Sequence, residues 1–167
     1  MTKKILAVYP GSFDPPTKGH LDIIIRASHL FPKIIIAVTK NINKKHIFSL
    51  QERIDLLQKI TEKLKNVKIS SFSGLLANYL ENINSFVLIR GLRVLSDFEY
   101  EFQMALMNRK LNKKIETIFL MTDQSYTFLS SSMVKEIAML GGNIKNFVPE
   151  CVEKELEKRV ANLSKSN

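Results

Sequence analysis

Apolar positions along this chain fall into two alternating patterns. Five segments read as strands, most of them because apolar or β-branched residues run nearly unbroken through them: residues 3–9, 33–40, 67–72, 86–89 and 115–121. Between them lie helical patterns over residues 19–30, 49–64, 74–82, 96–112, 130–140 and 149–163. The clearest is the second, where Leu50, Ile54, Leu57, Ile60 and Leu64 share one face. It opens on Ser49 and Glu52, a capping-box pattern. The fifth ends at Gly141-Gly142. Continuously apolar strands alternating with helices predict an α/β fold: a five-stranded parallel sheet covered on both faces. No repeat, linker or low-complexity segment interrupts the pattern. One domain is expected over residues 1–163, with a polar tail at 164–167.

Composition narrows the class only a little. The chain has 167 residues, 45% of them hydrophobic, which suits one globular core. No apolar run reaches the roughly 20 residues that span a bilayer. The opening MTKKILAVYPG has too short an apolar stretch for a secretory signal, so the expectation is a cytoplasmic protein with no membrane partner. One cysteine, Cys151, excludes an internal disulfide and any multi-cysteine metal site. The formal charge of +9 is compatible with nucleic acid, an anionic surface, phosphorylated small molecules or a plain lysine-rich exterior. No basic run or aromatic-basic interleaving favours nucleic acid.

In an open parallel sheet, ligands bind beyond the carboxyl ends of the strands. The residues there are chemically loaded. After the first strand comes Pro10-Gly11-Ser12-Phe13-Asp14-Pro15-Pro16-Thr17-Lys18-Gly19-His20. Gly11 permits a tight turn, Ser12 supplies a hydroxyl, and Gly19 lets an anion approach the helix amides. Thr17 and His20 are three apart and can share a helical face. After the fourth strand comes Arg90-Gly91-Leu92-Arg93, then acids including Asp97 and Glu101. Paired arginines suit phosphate recognition, and equally suit ion pairs with those acids. After the fifth strand Tyr126-Thr127-Phe128-Leu129-Ser130-Ser131-Ser132 leads into a helix, where serines serve as caps or as anion donors. Lys44-Lys45 follow the second strand, and Ser73 to Leu76 follow the third. Neither GxxxxGK[ST] nor GxGxxG occurs.

PGSFDP followed by Thr17-Lys18-Gly19-His20 resembles the TxGH form of the HxGH motif of nucleotidyltransferases. Together with RGLR and SSSMVKE it is similar to the bacterial phosphopantetheine adenylyltransferase family, in the right order from Ile5 to Pro149. Ser12 stands where threonine is also common, and the hydroxyl is kept. The resemblance implies a Rossmann-like nucleotidyltransferase fold and AMP transfer from ATP to 4′-phosphopantetheine, giving dephospho-coenzyme A and pyrophosphate. It further implies Mg²⁺ carried on the ATP phosphates with no protein ligand set, no nucleic-acid partner, and a homohexamer.

Roles follow from the same resemblance. His20 would be catalytic, donating to the α-phosphate. Ser12, Lys44, Leu76 and Arg90 would bind the acceptor, with Lys44 and Arg90 on its phosphate and Leu76 on the pantetheine arm. Ser12, Phe13, His20, Gly91, Leu92, Arg93, Glu101 and Tyr126, Thr127, Phe128, Leu129, Ser130, Ser131 and Ser132 would meet ATP, Glu101 beside adenine or ribose. The acceptor phosphate is already anionic, since its second pKa lies near 6, so no general base is needed. That accords with the absence of a Ser-His-Asp set or paired catalytic carboxylates from these motifs.

Overall fold

The computed structural model describes the backbone of residues 5–40 and 45–165, and the side chains of all of these except 95, 96, 164 and 165. Its elements alternate: β1 (Leu6–Gly11), α1 (Lys18–Leu30), β2 (Lys33–Thr39), α2 (Leu50–Thr61), β3 (Val67–Phe72), α3 (Leu76–Asn82), β4 (Val87–Leu92), α4 (Leu95–Leu111), β5 (Glu116–Met121), a single 3₁₀ turn at Gln124–Tyr126, α5 (Ser131–Met139) and α6 (Glu150–Lys165). The five strands form one parallel sheet in the order β3-β2-β1-β4-β5. Strand order reverses between β1 and β4, which is the expected place for a ligand crevice.

Alternation of side chains explains the unbroken apolar strands. Ala7, Tyr9, Ile34, Ile36, Val38 and Ile89 face α1 and α2, packing on Ile23, Ile24, Ala27 and Leu57. Val8, Ala37 and Leu88 point the opposite way, onto Ala77 and Leu80 of α3. Both faces are largely buried at the central strands β2, β1 and β4, which are accordingly apolar, whereas the edge strand β3 carries exposed Lys68 and Ser71. A further cluster, with Val134, Val148, Val152 and Leu156, packs α5 and α6 against Phe48 and Leu56. Among the described residues no helix is long and apolar enough to cross a membrane.

Two strands run further than the sequence pattern indicates. β1 continues through Pro10 and Gly11, because β2 supplies partners for both: Pro10 opposite Ala37 and Gly11 opposite Val38. On its other edge β1 pairs with β4 only at Ala7 and Val8. β4 likewise runs on through Arg90, Gly91 and Leu92, held by Phe119 to Met121 of β5. Arg90 and Gly91 are therefore strand residues, not loop residues. The sheet divides where the two strands stop pairing. Pro10 contributes to this, since it has no N–H to donate. Its carbonyl instead accepts from Nη1 of Arg90 at 3.0 Å, a side chain filling the gap between strands.

Helix starts follow the sequence closely, but α2 ends at Thr61, so Leu64 lies beyond the helix expected to include it. Ser49 caps α2, its hydroxyl accepting from the Glu52 amide while the Glu52 carboxylate accepts from the Ser49 amide at 2.7 Å. Ser130 caps α5 by accepting from the Met133 amide at 3.1 Å. Helix α4 differs from an ordinary amphipathic helix. Phe98, Tyr100, Phe102, Met104, Leu106, Met107 and Leu111 are all exposed, while the polar Asn108 is buried.

Candidate active site

A cleft of about 480 Å³ opens where β1 and β4 part. Its floor is Tyr9 to Phe13. The amino end of α1 forms one wall with Thr17, Gly19 and His20, and Arg90, Gly91, Arg93, Asp97, Tyr100 and Glu101 form another. Leu129 to Ser132 closes it.

The Ser12–Phe13 turn is built tightly. Phe13 has φ 49°, a left-handed conformation uncommon for a residue with a side chain. That geometry folds its ring back over Gly11, where a Cβ would lie only 2.8 Å from the ring. The ring then meets Tyr9 and His20 edge-on, at centroid distances of 5.4 and 5.0 Å. Burial pushes the Tyr9 phenol up to about 12, so it stays protonated.

Thr17 and His20 form a reciprocal cap at the start of α1. The Thr17 hydroxyl accepts from the His20 amide at 3.3 Å, and Nδ1 of His20 accepts from the Thr17 amide at 3.0 Å. A nitrogen that accepts an amide proton carries none of its own, so the ring proton lies on Nε2. Burial, with Arg93 and Arg90 nearby, lowers the His20 pKa to about 4. The imidazole is neutral at pH 7 and offers one N–H to the cleft.

The two arginines are held by parallel devices. Arg90 donates Nε and Nη2 to the two oxygens of Glu101 and Nη1 to the Pro10 carbonyl. Arg93 donates Nε and Nη2 to Asp97, at 2.9 and 3.1 Å, and Nη1 to the Leu129 carbonyl at 3.0 Å. Each guanidinium is fixed by one carboxylate from α4 and one backbone carbonyl. Burial opposes the charge on Arg90, but Glu101 outweighs it and holds the pKa above its ordinary value. A guanidinium has five N–H groups, and the three contacts of Arg90 leave two for a ligand. The ion-pair reading of these arginines thus holds, and orients them toward the cleft rather than away from it.

Of the residues singled out from sequence, Ser12, Phe13, His20, Arg90, Gly91, Arg93, Glu101, Leu129, Ser130, Ser131 and Ser132 converge on this cleft. Both oxygens of Glu101 are engaged by Arg90, so its evident task is to hold that side chain. Leu92 is buried behind the wall. Tyr126 lies on the 3₁₀ turn against Gly19, and Thr127 and Phe128 follow it outside the lining; Phe128 is exposed. Leu76 lines a smaller adjoining cleft of about 90 Å³ with Leu88, Met104, Ala105 and Asn108. Arg90, Tyr100 and Glu101 border both clefts. Lys44 lies outside the described residues.

Two charged residues behind the cleft are not among those singled out. Arg53 is buried, and donates Nη1 to the carbonyls of Ser12 and Thr39, at 2.7 and 3.2 Å. It therefore braces the ends of β1 and β2 from α2. Its signal in the sequence is an arginine between Leu50 and Leu57 on the apolar stripe. Asp14 is also buried, and accepts from the Ile47 and Phe48 amides at 3.0 Å each and from Lys135 at 3.1 Å. Burial would raise its pKa, but the Phe48 and Ile47 amides and Lys135 outweigh that and lower it.

Among the described residues no group of three or more His, Cys, Asp or Glu side chains is arranged to hold a metal. Asp97 and Glu101, the acids lining the cleft, are each committed to an arginine. The remaining side-chain oxygens there are hydroxyls, so the lining offers a hard cation no carboxylate cage.

The chain matches a family profile described as Cytidylyltransferase-like over residues 8–137. It is 57% identical over 152 residues to a phosphopantetheine adenylyltransferase of Dictyoglomus thermophilum, covering 91% of this chain and 93% of that one. To the protein of that name from Clostridium perfringens it is 51% identical over 158 residues, covering 95% and 96%. In fold it is similar to Plasmodium falciparum nicotinic acid mononucleotide adenylyltransferase complexed with NaAD, with a TM-score of 0.67 at 16% identity and 97% of each chain covered. On sequence identity of this extent, the chain belongs to the phosphopantetheine adenylyltransferase family of nucleotidyltransferases.

Proposed function

We infer that the cleft transfers the adenylyl group of ATP to the phosphate of 4′-phosphopantetheine, forming dephospho-coenzyme A and releasing pyrophosphate, a step of coenzyme A synthesis. An oxygen of the acceptor phosphate forms a bond to the α-phosphorus, and the bond from that phosphorus to the pyrophosphate oxygen breaks. The observation that carries this reading is the neutral His20, its free N–H aimed into a cleft bounded by two clamped arginines and a serine-opened helix.

Two anions must be brought into line, and negative charge must be stabilised as the pyrophosphate departs. Position and fixed donors do this. His20 Nε2–H donates to the α-phosphate. Its low basicity suits a group that stays put as a donor rather than accepting a proton. Ser12 Oγ and Arg90, with Lys44, bind the acceptor phosphate. Arg93, Gly91 and the Leu92 backbone face ATP, with Phe13 and the segment Tyr126 to Ser132 around the nucleotide. The amino end of α5 adds the favourable end of a helix dipole for phosphate. Leu76 and its small cleft take the pantetheine arm, with Arg90 and Glu101 at the boundary between phosphate and arm. Mg²⁺, held by the ATP phosphates and water, would offset phosphate charge.

The same reading makes the protein a cytoplasmic enzyme with no membrane or nucleic-acid partner. It also makes it a homohexamer, for which the uncovered apolar residues of α4 supply contact surface. Pyrophosphate release measured with ATP and a panel of acceptors tests the reaction. Release with 4′-phosphopantetheine at rates well above those with nicotinamide mononucleotide or glycerol 3-phosphate is expected; preference for either of the latter would replace this acceptor.

A further inference from the structure

We propose that Asp14 and Lys135 form a positioning pair that sets the spacing between the Ser12–Phe13 wall of the cleft and the serine-opened end of α5. The proposal rests on the reaction just described and adds two residues that touch none of the reacting groups.

The two walls lie far apart in the chain, and two bonds link them directly. Nζ of Lys135 donates to Oδ2 of Asp14 at 3.1 Å, and the Ser131 hydroxyl donates to the Pro15 carbonyl at 2.8 Å. Ser131 and Lys135 are four residues apart in α5, so they share one face of the helix. That face is the one turned to the segment after β1 that carries Asp14 and Pro15. Asp14 is anchored on its other side by the amides of Ile47 and Phe48, with Nδ1 of His46 at 3.4 Å. One buried carboxylate thus fixes three segments at once: the turn after β1, the approach to α2, and α5.

Stability alone is a weak reason for this arrangement. Burying a carboxylate and an ammonium costs desolvation, and well-packed apolar residues often do as well or better. Apolar packing is already present beside it, where Phe48, Val134 and Leu129 meet. What an ion pair adds is a defined distance between its two elements. The catalytic chemistry needs such a distance, because Ser12 and His20 on one side and Ser130 to Ser132 on the other must engage one chain of phosphates. A misplacement of about 1 Å can cost on the order of 100-fold in rate.

The test compares Lys135→Met, Lys135→Arg and Asp14→Asn with the wild-type protein. Lys135→Met is expected to lower kcat about 10- to 100-fold while KM for ATP changes less than about threefold. Lys135→Arg is expected to recover most of kcat. In Asp14→Asn, adding Lys135→Met should cost little more, since the pair is already broken. A second readout needs no turnover: amide hydrogen exchange in Lys135→Met should quicken at Ile47, Phe48 and the first turn of α5, and stay unchanged in β1, β2 and β4. Wild-type protein inactive with every acceptor would count against the proposed reaction, and the exchange pattern would then decide this proposal alone. Normal kcat in Lys135→Met, additive losses in the double variant, or exchange that quickens uniformly or not at all would overturn it.

Discussion

Nδ1 of His20 accepts the backbone N–H of Thr17 at 3.0 Å, so the ring presents its single proton on Nε2, away from its own helix. This fixes both tautomer and direction before substrate arrives. Removing one preorganised donor to a developing charge typically lowers turnover about 10²- to 10³-fold. His20→Ala should therefore lose at least that much kcat while ATP binding, followed by calorimetry, persists. Near-normal turnover in a folded variant would take His20 out of the chemistry.

Acidification should expose the same residue. The folded pKa of about 4 lies below the ordinary value of 6.5, so the unfolded chain binds the proton first as pH falls. The stability contributed by neutral His20 is fully present above about 6.5 and is lost as pH falls toward about 4. Urea midpoints measured across this window should fall with pH, and His20→Gln should flatten that slope. An NMR titration placing the wild-type imidazole near its ordinary value would refute the burial argument.

Gly11 tests the Ser12–Phe13 turn. A methyl group there meets the Phe13 ring, itself wedged between Tyr9 and His20. Overpacking of this kind costs about 1–3 kcal/mol. Gly11→Ala should lower the thermal midpoint and also reduce kcat, because the displaced ring pushes on the His20 imidazole. An unchanged kcat would show that the ring yields elsewhere.

Arg53 holds two carbonyls from within the protein, and a charge-assisted hydrogen bond contributes about 1.5–3 kcal/mol. Arg53→Met should destabilise the fold by about 3 kcal/mol or more, read from urea unfolding. Lysine at this position should recover only part of the loss, since it lacks the planar fork.

Glu101→Gln probes the clamp on Arg90. The substituted amide cannot accept at both oxygens, so the guanidinium loses its bidentate anchor. KM for the acceptor should rise about tenfold while KM for ATP stays within about twofold, an apportionment that steady-state kinetics with each substrate varied will show. A rise confined to ATP would place Arg90 on the nucleotide instead.

The alternation of strands and helices was legible in the sequence because the central strands β2, β1 and β4 carry most of the buried strand positions and are correspondingly apolar, while the edge strand β3 keeps exposed Lys68 and Ser71. Strand ends were less so. Pro10, Gly11 and Arg90 carry the signals of a turn, yet the neighbouring strands β2 and β5 keep those segments extended. In the site, most residues that touch the cleft stand in short motifs and could be found there, whereas Ile23, Tyr100 and Thr122 stand outside them. Asp14 sat within one of those motifs, but its partners Ile47, Phe48 and Lys135 come from elsewhere in the chain, and only the folded structure brings them together. Arg53 broke an otherwise apolar stripe, a visible anomaly whose meaning depends on the carbonyls it meets. The outward face of α4 could not be assigned, since apolar residues occur on several of its sides.

Pro10 has a consequence beyond the shape of the crevice. A backbone with no hydrogen at that nitrogen cannot zip the central seam shut, whether or not nucleotide is present. The seam beside Pro10 therefore lacks one backbone donor by covalent structure, whatever occupies the cleft. Substrate meets a site already ajar, and the energy of its binding is left free for the reaction rather than for prying strands apart.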